Sequence, residues 1–94
     1  MSGAGGTSPV VVDARGLRCP LPVIRAAAQA RYLPPGTLLT VLWSDPAAGH
    51  DLPAWARMRG HELVSSDASP GEEGGSTTVR LGQPRLRRGA PPGA

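Results

Sequence analysis

The apolar positions of this chain fall into short blocks that alternate between a strand period and a helix period. Val10-Val11-Val12-Asp13-Ala14 is brief and β-branched, and Gly16 ends it, which predicts a first strand. From Pro22 to about Leu33 the period is helical. Arg25, Gln29 and Tyr32 share one face; Val23, Ile24, Ala27 and Ala30 share the other and are expected to meet the core. Three consecutive alanines favour the helix and let it lie close to a sheet, and Pro34-Pro35-Gly36 stops it. Thr37 to Trp43 is a mostly apolar run of strand length. Ser44-Asp45-Pro46 then predicts a turn, with Asp45 as a cap for the segment after it.

Ala47 to Arg59 predicts a second helix whose first half is weakened by Gly49 and Pro53. Asp51 can cap a cleaner helix in which Pro53 occupies the first turn, where its missing N–H does no harm. Leu52, Trp55 and Ala56 form the core-facing stripe, with Arg59 at its edge, and Gly60 is placed as the C-terminal glycine. Glu62 to Ser66 predicts a third strand, Asp67 to Ser76 a glycine-rich loop, and Thr77 to Leu81 a fourth strand with Val79 and Leu81 pointing one way.

The order β-α-β-α-β-β implies an α/β (α+β) two-layer sandwich. Each strand–helix–strand unit makes a right-handed crossover, so both helices lie on one face of a four-stranded mixed sheet, provided that successive strands extend the sheet in one direction. The last two strands are expected to pair antiparallel. Ninety-four residues allow one domain. The expected division is a disordered segment over 1–8, the folded domain over 9–82 and a disordered Pro/Gly/Arg-rich tail over 83–94. A core of roughly 70 residues buries only ~60% of its chain surface, so stability is expected to be modest.

Composition narrows the function. No apolar run approaches the ~20 residues that cross a bilayer, and Met1 to Ser8 lacks the regions of a signal peptide, so a cytoplasmic protein with no membrane partner is expected. The net charge of +3 comes from arginine alone, without lysine. Arg85, Arg87 and Arg88 lie in the tail; the other seven arginines balance seven carboxylates, so no direct nucleic-acid binding is expected. Within the core the charge is polarised: Arg15, Arg18, Arg25 and Arg31 stand against Asp13 alone up to Trp43, whereas from Ser44 to Pro84 six acids face three arginines. The surroundings of the single cysteine, Cys19, are therefore basic in sequence; how the second half packs decides whether they are basic in space.

Cys19 carries the candidate chemistry. It lies in Arg15-Gly16-Leu17-Arg18-Cys19-Pro20-Leu21-Pro22, on the loop between the first strand and the first helix, an edge that reaction sites favour. Unpaired N–H groups and the positive end of the helix dipole stabilise a thiolate, the reactive form. If Cys19 is the cap residue, Pro20 and Pro22 remove two of those donors, so the stabilisation is moderate and rigid presentation counts as much as a depressed pKa. A lone cysteine is otherwise often a buried, inert apolar residue, but a junction between Arg18 and Pro20 is a poor core position. No second catalytic group accompanies it. His61 follows Gly60, where a cation meets the helix dipole favourably, and His50 is expected in an exposed turn. Cys19, His50 and His61 lack metal-ligand spacing and there is no CxxC, so no metal or other cofactor is expected. A single accessible thiol without base, metal or resolving cysteine suits group transfer between proteins; for sulfur the held form is a persulfide.

Asp13-Ala14-Arg15-Gly16-Leu17-Arg18-Cys19-Pro20-Leu21-Pro22 resembles the signature of the TusA/SirA-like sulfur carrier family. Leu33-Pro34-Pro35-Gly36, Ser44-Asp45-Pro46-Ala47, Asp51-Leu52-Pro53-Ala54-Trp55 and Gly60-His61-Glu62-Leu63 extend the resemblance over nearly the whole core. It implies the same fold, a persulfide on Cys19, a cysteine desulfurase or rhodanese-like donor, and delivery to an acceptor protein in tRNA thiolation, molybdenum-cofactor assembly or sulfur oxidation. The long glycine-rich loop and the Arg-bearing tail depart from the family pattern. Arg15, Arg18, Leu21 and Arg25 are expected to dock partners around the sulfur, while Asp13, Gly16, Pro20 and Pro22 shape the motif, Asp13 by fixing the turn at Gly16. A monomer is expected. Two other readings compete: a non-catalytic regulatory or protein-interaction module, and a thiol redox sensor.

Overall fold

The computed structural model describes residues 9–68 and 74–82. The two terminal segments expected to be disordered, including Arg85, Arg87 and Arg88, and the middle of the glycine-rich loop lie outside the described residues.

Every expected element is present: β1 (Val10–Ala14), α1 (Leu21–Ala30), β2 (Leu38–Trp43), α2 (Ala48–Arg59), β3 (Glu62–Ala68) and β4 (Gly75–Arg80). They form a four-stranded mixed sheet in the order β1-β2-β4-β3. β1 and β2 are parallel with Ala14 opposite Trp43, and β4 is antiparallel to both β2 and β3. The two strand–helix–strand units step in the same direction, from β1 to β2 and on to β3, as the sequence reading required, and β4 inserts between β2 and β3. Burial follows this order: β4, flanked by a strand on each side, carries buried Thr77 and Val79, whereas every residue of β3, at the edge, is exposed. A register shift between Leu63 and Ser65 further interrupts that edge.

The core lies between one sheet face and the helices. Val12, Ala14, Leu39, Val41, Trp43 and Val79 from the strands meet Ala26, Ala48, Leu52, Trp55 and Ala56 from the helices. The stripe read on α2 is thus the buried one. On α1 the expected residues Val23, Ala27 and Ala30 pack against the core, but Pro22 and Ala26 are the buried ones, and Ile24 is 55% exposed. Ile24 is two residues from each of them, which places it on the opposite side of a helix with 3.6 residues per turn. A small residue, Ala26, faces the sheet and lets the short helix approach closely. The one buried polar side chain among the described residues, Thr77, is satisfied by Trp43 Nε1–H at 2.9 Å and by the Ser66 hydroxyl at 2.9 Å.

α2 is one continuous helix and begins before Asp51. Ala47 is its N-cap residue, so Asp51 lies inside the first turn and Pro53 in the interior. His50, expected in a turn, belongs to the same first turn. The helix starts early because Asp45 anchors the preceding turn: its Oδ1 accepts the Ala47 N–H at 3.0 Å and its carbonyl accepts the Ala48 N–H at 2.9 Å. At the other end Gly60 takes φ 80° and the His61 N–H bonds the Ala56 carbonyl at 2.8 Å, a left-handed glycine stop.

Candidate functional site

Parallel pairing puts the C-terminal ends of β1 and β2 at the same sheet edge, so the loops after them are neighbours. The first loop turns sharply. The Leu17 N–H bonds the Ala14 carbonyl at 3.2 Å and Gly16 takes φ 86°, a conformation in which a Cβ would be strained. The second loop holds the first in place: Ser44 Oγ accepts the Gly16 N–H at 2.8 Å, and Asp45 Oδ2 accepts the Cys19 N–H at 2.9 Å. A shallow depression lined by Gly16, Leu17, Arg18, Ser44 and Asp45 lies between them.

Cys19 sits at this junction, half-buried with its side chain against the core. It is not the helix cap; that residue is Pro20, which makes no side-chain capping bond. The donors that could support a thiolate are already engaged. The Leu21 N–H bonds the Arg18 carbonyl at 2.9 Å and the Val23 N–H bonds the Pro20 carbonyl at 3.1 Å, while Pro20 and Pro22 have none. The charge around the sulfur is also the reverse of the sequence reading. Burial pushes the thiol up, and the Asp51 carboxylate facing it, with Asp45 behind, pushes it further, to about 11. The expected moderately stabilised thiolate gives way to a protected neutral thiol, because the acidic second half of the chain packs against the basic first half at this point.

The arginines of the first loop make local contacts. Arg15 is held by Asp13: Nε donates to Oδ1 at 2.9 Å and an Nη to Oδ2 at 2.8 Å. Asp13 Oδ1 also accepts the Arg15 backbone N–H at 3.1 Å, fixing the turn before Gly16 as expected. The fork holds the Asp13 carboxyl down at about 2, with Arg25 adding a smaller field. Arg18 acts on Asp45, whose carboxyl is lowered chiefly by the Cys19 and Ala47 N–H groups. Leu21 is 46% exposed, and the exposed Ile24 extends the apolar surface along α1.

His61 differs from its expected role as a helix-end cation. Its Nδ1 accepts the Gly82 N–H at 3.0 Å, its ring tilts against Trp55 with centroids 4.9 Å apart, and burial together with Arg59 holds its pKa below the ordinary histidine value. It is a neutral latch on the chain after β4. It lies at the far end of α2 from Cys19, about 18 Å for 12 residues at 1.5 Å each, so it cannot serve the thiol as a base. No group of three or more metal-ligating side chains occurs among the described residues. No described helix is long and apolar enough to cross a membrane.

Asp45 and Asp51 are the residues beside Cys19 that sequence reasoning missed, having read both as caps. Their signal was present: both lie in the segments that resemble the family frame, and Asp45 comes just after the strand that parallels the first.

Comparison with known proteins agrees with this geometry. The family model for sulfurtransferase TusA matches residues 10–81, which span every described strand and helix. The sulfur carrier protein TusA of Pseudomonas syringae pv. tomato is 44% identical over 62 residues, covering 66% of this chain and 74% of that protein. The protein of the same name in Pseudomonas paraeruginosa is 42% identical over 67 residues, covering 69% of this chain and 85% of its own. The putative sulfur carrier protein YrkI of Bacillus subtilis is 40% identical over 57 residues, 61% of this chain and 76% of that one. With its fold, its Cys-Pro-x-Pro junction and this match over the whole folded core, the chain belongs to the TusA sulfurtransferase family.

Proposed function

We propose that this chain is a sulfur carrier that accepts sulfane sulfur as a persulfide on Cys19 and relays it to an acceptor protein. The observation that carries the reading is the setting of Cys19: the sole cysteine, at the C-terminal edge of two parallel strands, with no metal-ligating cluster among the described residues. Such a thiol has the means to hold a sulfur atom and lacks the means to generate one. The names of its relatives, sulfur carrier proteins, support the same role.

A cysteine desulfurase or a rhodanese-like protein is the fitting donor, and the acceptor belongs to tRNA thiolation, molybdenum-cofactor assembly or sulfur oxidation. The cytoplasm, where thiols stay reduced, suits the exchange. Leu21, Ile24 and Arg25, exposed on the first turns of α1, offer a docking strip that leads to the sulfur. The thiol redox sensor is the weaker reading, since peroxide attacks thiolates and this thiol is held protonated. The test is mass spectrometry of the full chain after incubation with a cysteine desulfurase and cysteine. The wild type is expected to gain one sulfur atom and Cys19→Ser none; a loaded Ser variant, or an unloaded wild type across desulfurase and rhodanese donors, overturns the reading.

A further inference from the structure

Carrying sulfur puts negative charge on Sγ of Cys19 twice. In loading, Cys19 attacks the outer sulfur of a donor persulfide R–S–SH. The donor S–S bond breaks, Cys19–S–SH forms, and the thiol proton ends on the departing donor sulfur. In discharge, an acceptor thiolate attacks that outer sulfur and Sγ leaves, recovering a proton. No oxidant or reductant is consumed. Each step slows as the surroundings disfavour charge on Sγ.

Here they disfavour it by construction. The first-turn N–H groups of Leu21 and Val23 are spent on carbonyls, and Pro20 and Pro22 have none. Asp45 is fixed beneath Cys19 by two backbone hydrogen bonds, from Cys19 at 2.9 Å and Ala47 at 3.0 Å, and cannot swing away without releasing both. Asp51 faces the thiol from the first turn of α2, where helical side chains lean back toward the N-terminus. Of the two cations of this loop, Arg15 is paired with Asp13 and Arg18 acts on Asp45. We propose that Asp45 and Asp51 are specificity-determining residues: they hold Cys19 as a neutral thiol until a positively charged reactant offsets them, so Cys19 reacts with cationic sulfur donors in preference to neutral or anionic ones. This inference rests on the carrier reading for its purpose. It keeps the free carrier from exchanging with anionic low-mass disulfides such as glutathione disulfide, and it opens loading and discharge to protein partners that bring Arg or Lys beside the reacting sulfur.

The experiment is thiol–disulfide exchange by the full chain at low salt and pH 8, followed by mass, with cystamine (dication), bis(2-hydroxyethyl) disulfide (neutral) and dithiodipropionate (dianion). Each rate is divided by that of N-acetylcysteinamide with the same reagent. The wild type is expected to favour cystamine over the dianion by about tenfold, the size of one to two charge interactions near a protein surface. Asp51→Asn and Asp45→Asn should each raise the rate with the neutral reagent and shrink the preference. Asp45→Asn removes the charge together with one of the two backbone hydrogen bonds that Asp45 accepts, whereas Asp51→Asn removes charge alone and so separates charge from position. Equal relative rates in the wild type, or an unchanged preference in both folded variants, overturns the proposal. A wild type that shows the preference yet is never loaded from a persulfide donor leaves this inference standing and removes the carrier reading; loading without the preference does the reverse.

Discussion

The two strand-to-helix junctions at one sheet edge are built alike and do opposite things. The junction after β1 presents a thiol and gives its N–H groups at Gly16 and Cys19 to the neighbouring loop. The junction after β2 presents acceptors, Ser44 Oγ and the Asp45 carboxylate, and uses them to hold the first loop as well as to start its own helix. One junction has an engaged backbone and a reactive side chain; the other has side chains that serve the backbone of both. A cysteine before a helix is therefore not enough to make a thiolate. What decides its charge is the loop beside it, which belongs to a later part of the chain.

The contrast between the junctions can be challenged at three levels beyond loss of the sulfur itself. The largest effect is expected from Leu52→Ala. Leu52 is fully buried and comes directly after Asp51, so its removal leaves a cavity beneath the carboxylate junction. Chemical denaturation should show a loss of about 2–5 kcal/mol. Alkylation of Cys19 at pH 8 should speed up as the first turn of α2 loosens; an unchanged alkylation rate in the folded variant would show that α2 does not control the thiol. Gly16→Ala comes next. Nothing lies within 4 Å of the added Cβ, so only the left-handed backbone at φ 86° resists it. Denaturation should register about 1 kcal/mol, and a neutral result would mean the first loop has freedom that its bonds to Ser44 and Asp45 deny it.

The smallest effect is in pH. The thiol is raised in the folded chain, from an ordinary value of 9.0 to about 11, so folding favours its protonated form. That contribution is complete below pH 9 and is lost as pH rises from 9 to 11. Thermal melting of the wild type should therefore fall more steeply over this window than that of Cys19→Ser, which cannot titrate there. Parallel curves for the two proteins would mean that the second junction does not act on the first.

The elements were legible because each obeys a local rule. Alternation and β-branching mark the strands, the Leu52-Trp55-Ala56 stripe marks the buried side of α2, and Gly60 marks its end with a left-handed turn. The reactive residue was legible too, since only one cysteine exists and its motif is specific. The errors share a cause. Ile24, Asp51 and His61 were assigned from neighbours in sequence, and each is governed by something remote. The sheet selects which side of α1 is small enough to approach it; Asp45 starts α2 early and so moves Asp51 from cap to first turn; Gly82 gives His61 an N–H that only a neutral ring can accept.

The order of residues alone specifies a single sulfur nucleophile at the start of a short helix in a β-α-β-α-β-β chain, with partner groups absent from its neighbourhood. Local chemistry suffices for that, because strand period, helix stops and a lone cysteine are properties of adjacent residues. The state of that sulfur was set by the folded arrangement. Parallel pairing of β1 with β2 brings Asp45 and Asp51 to Cys19 across 26 and more positions of chain. Charge acts through space, so the nearest carboxylates in the fold, and not the nearest arginines in the sequence, set the proton on the thiol.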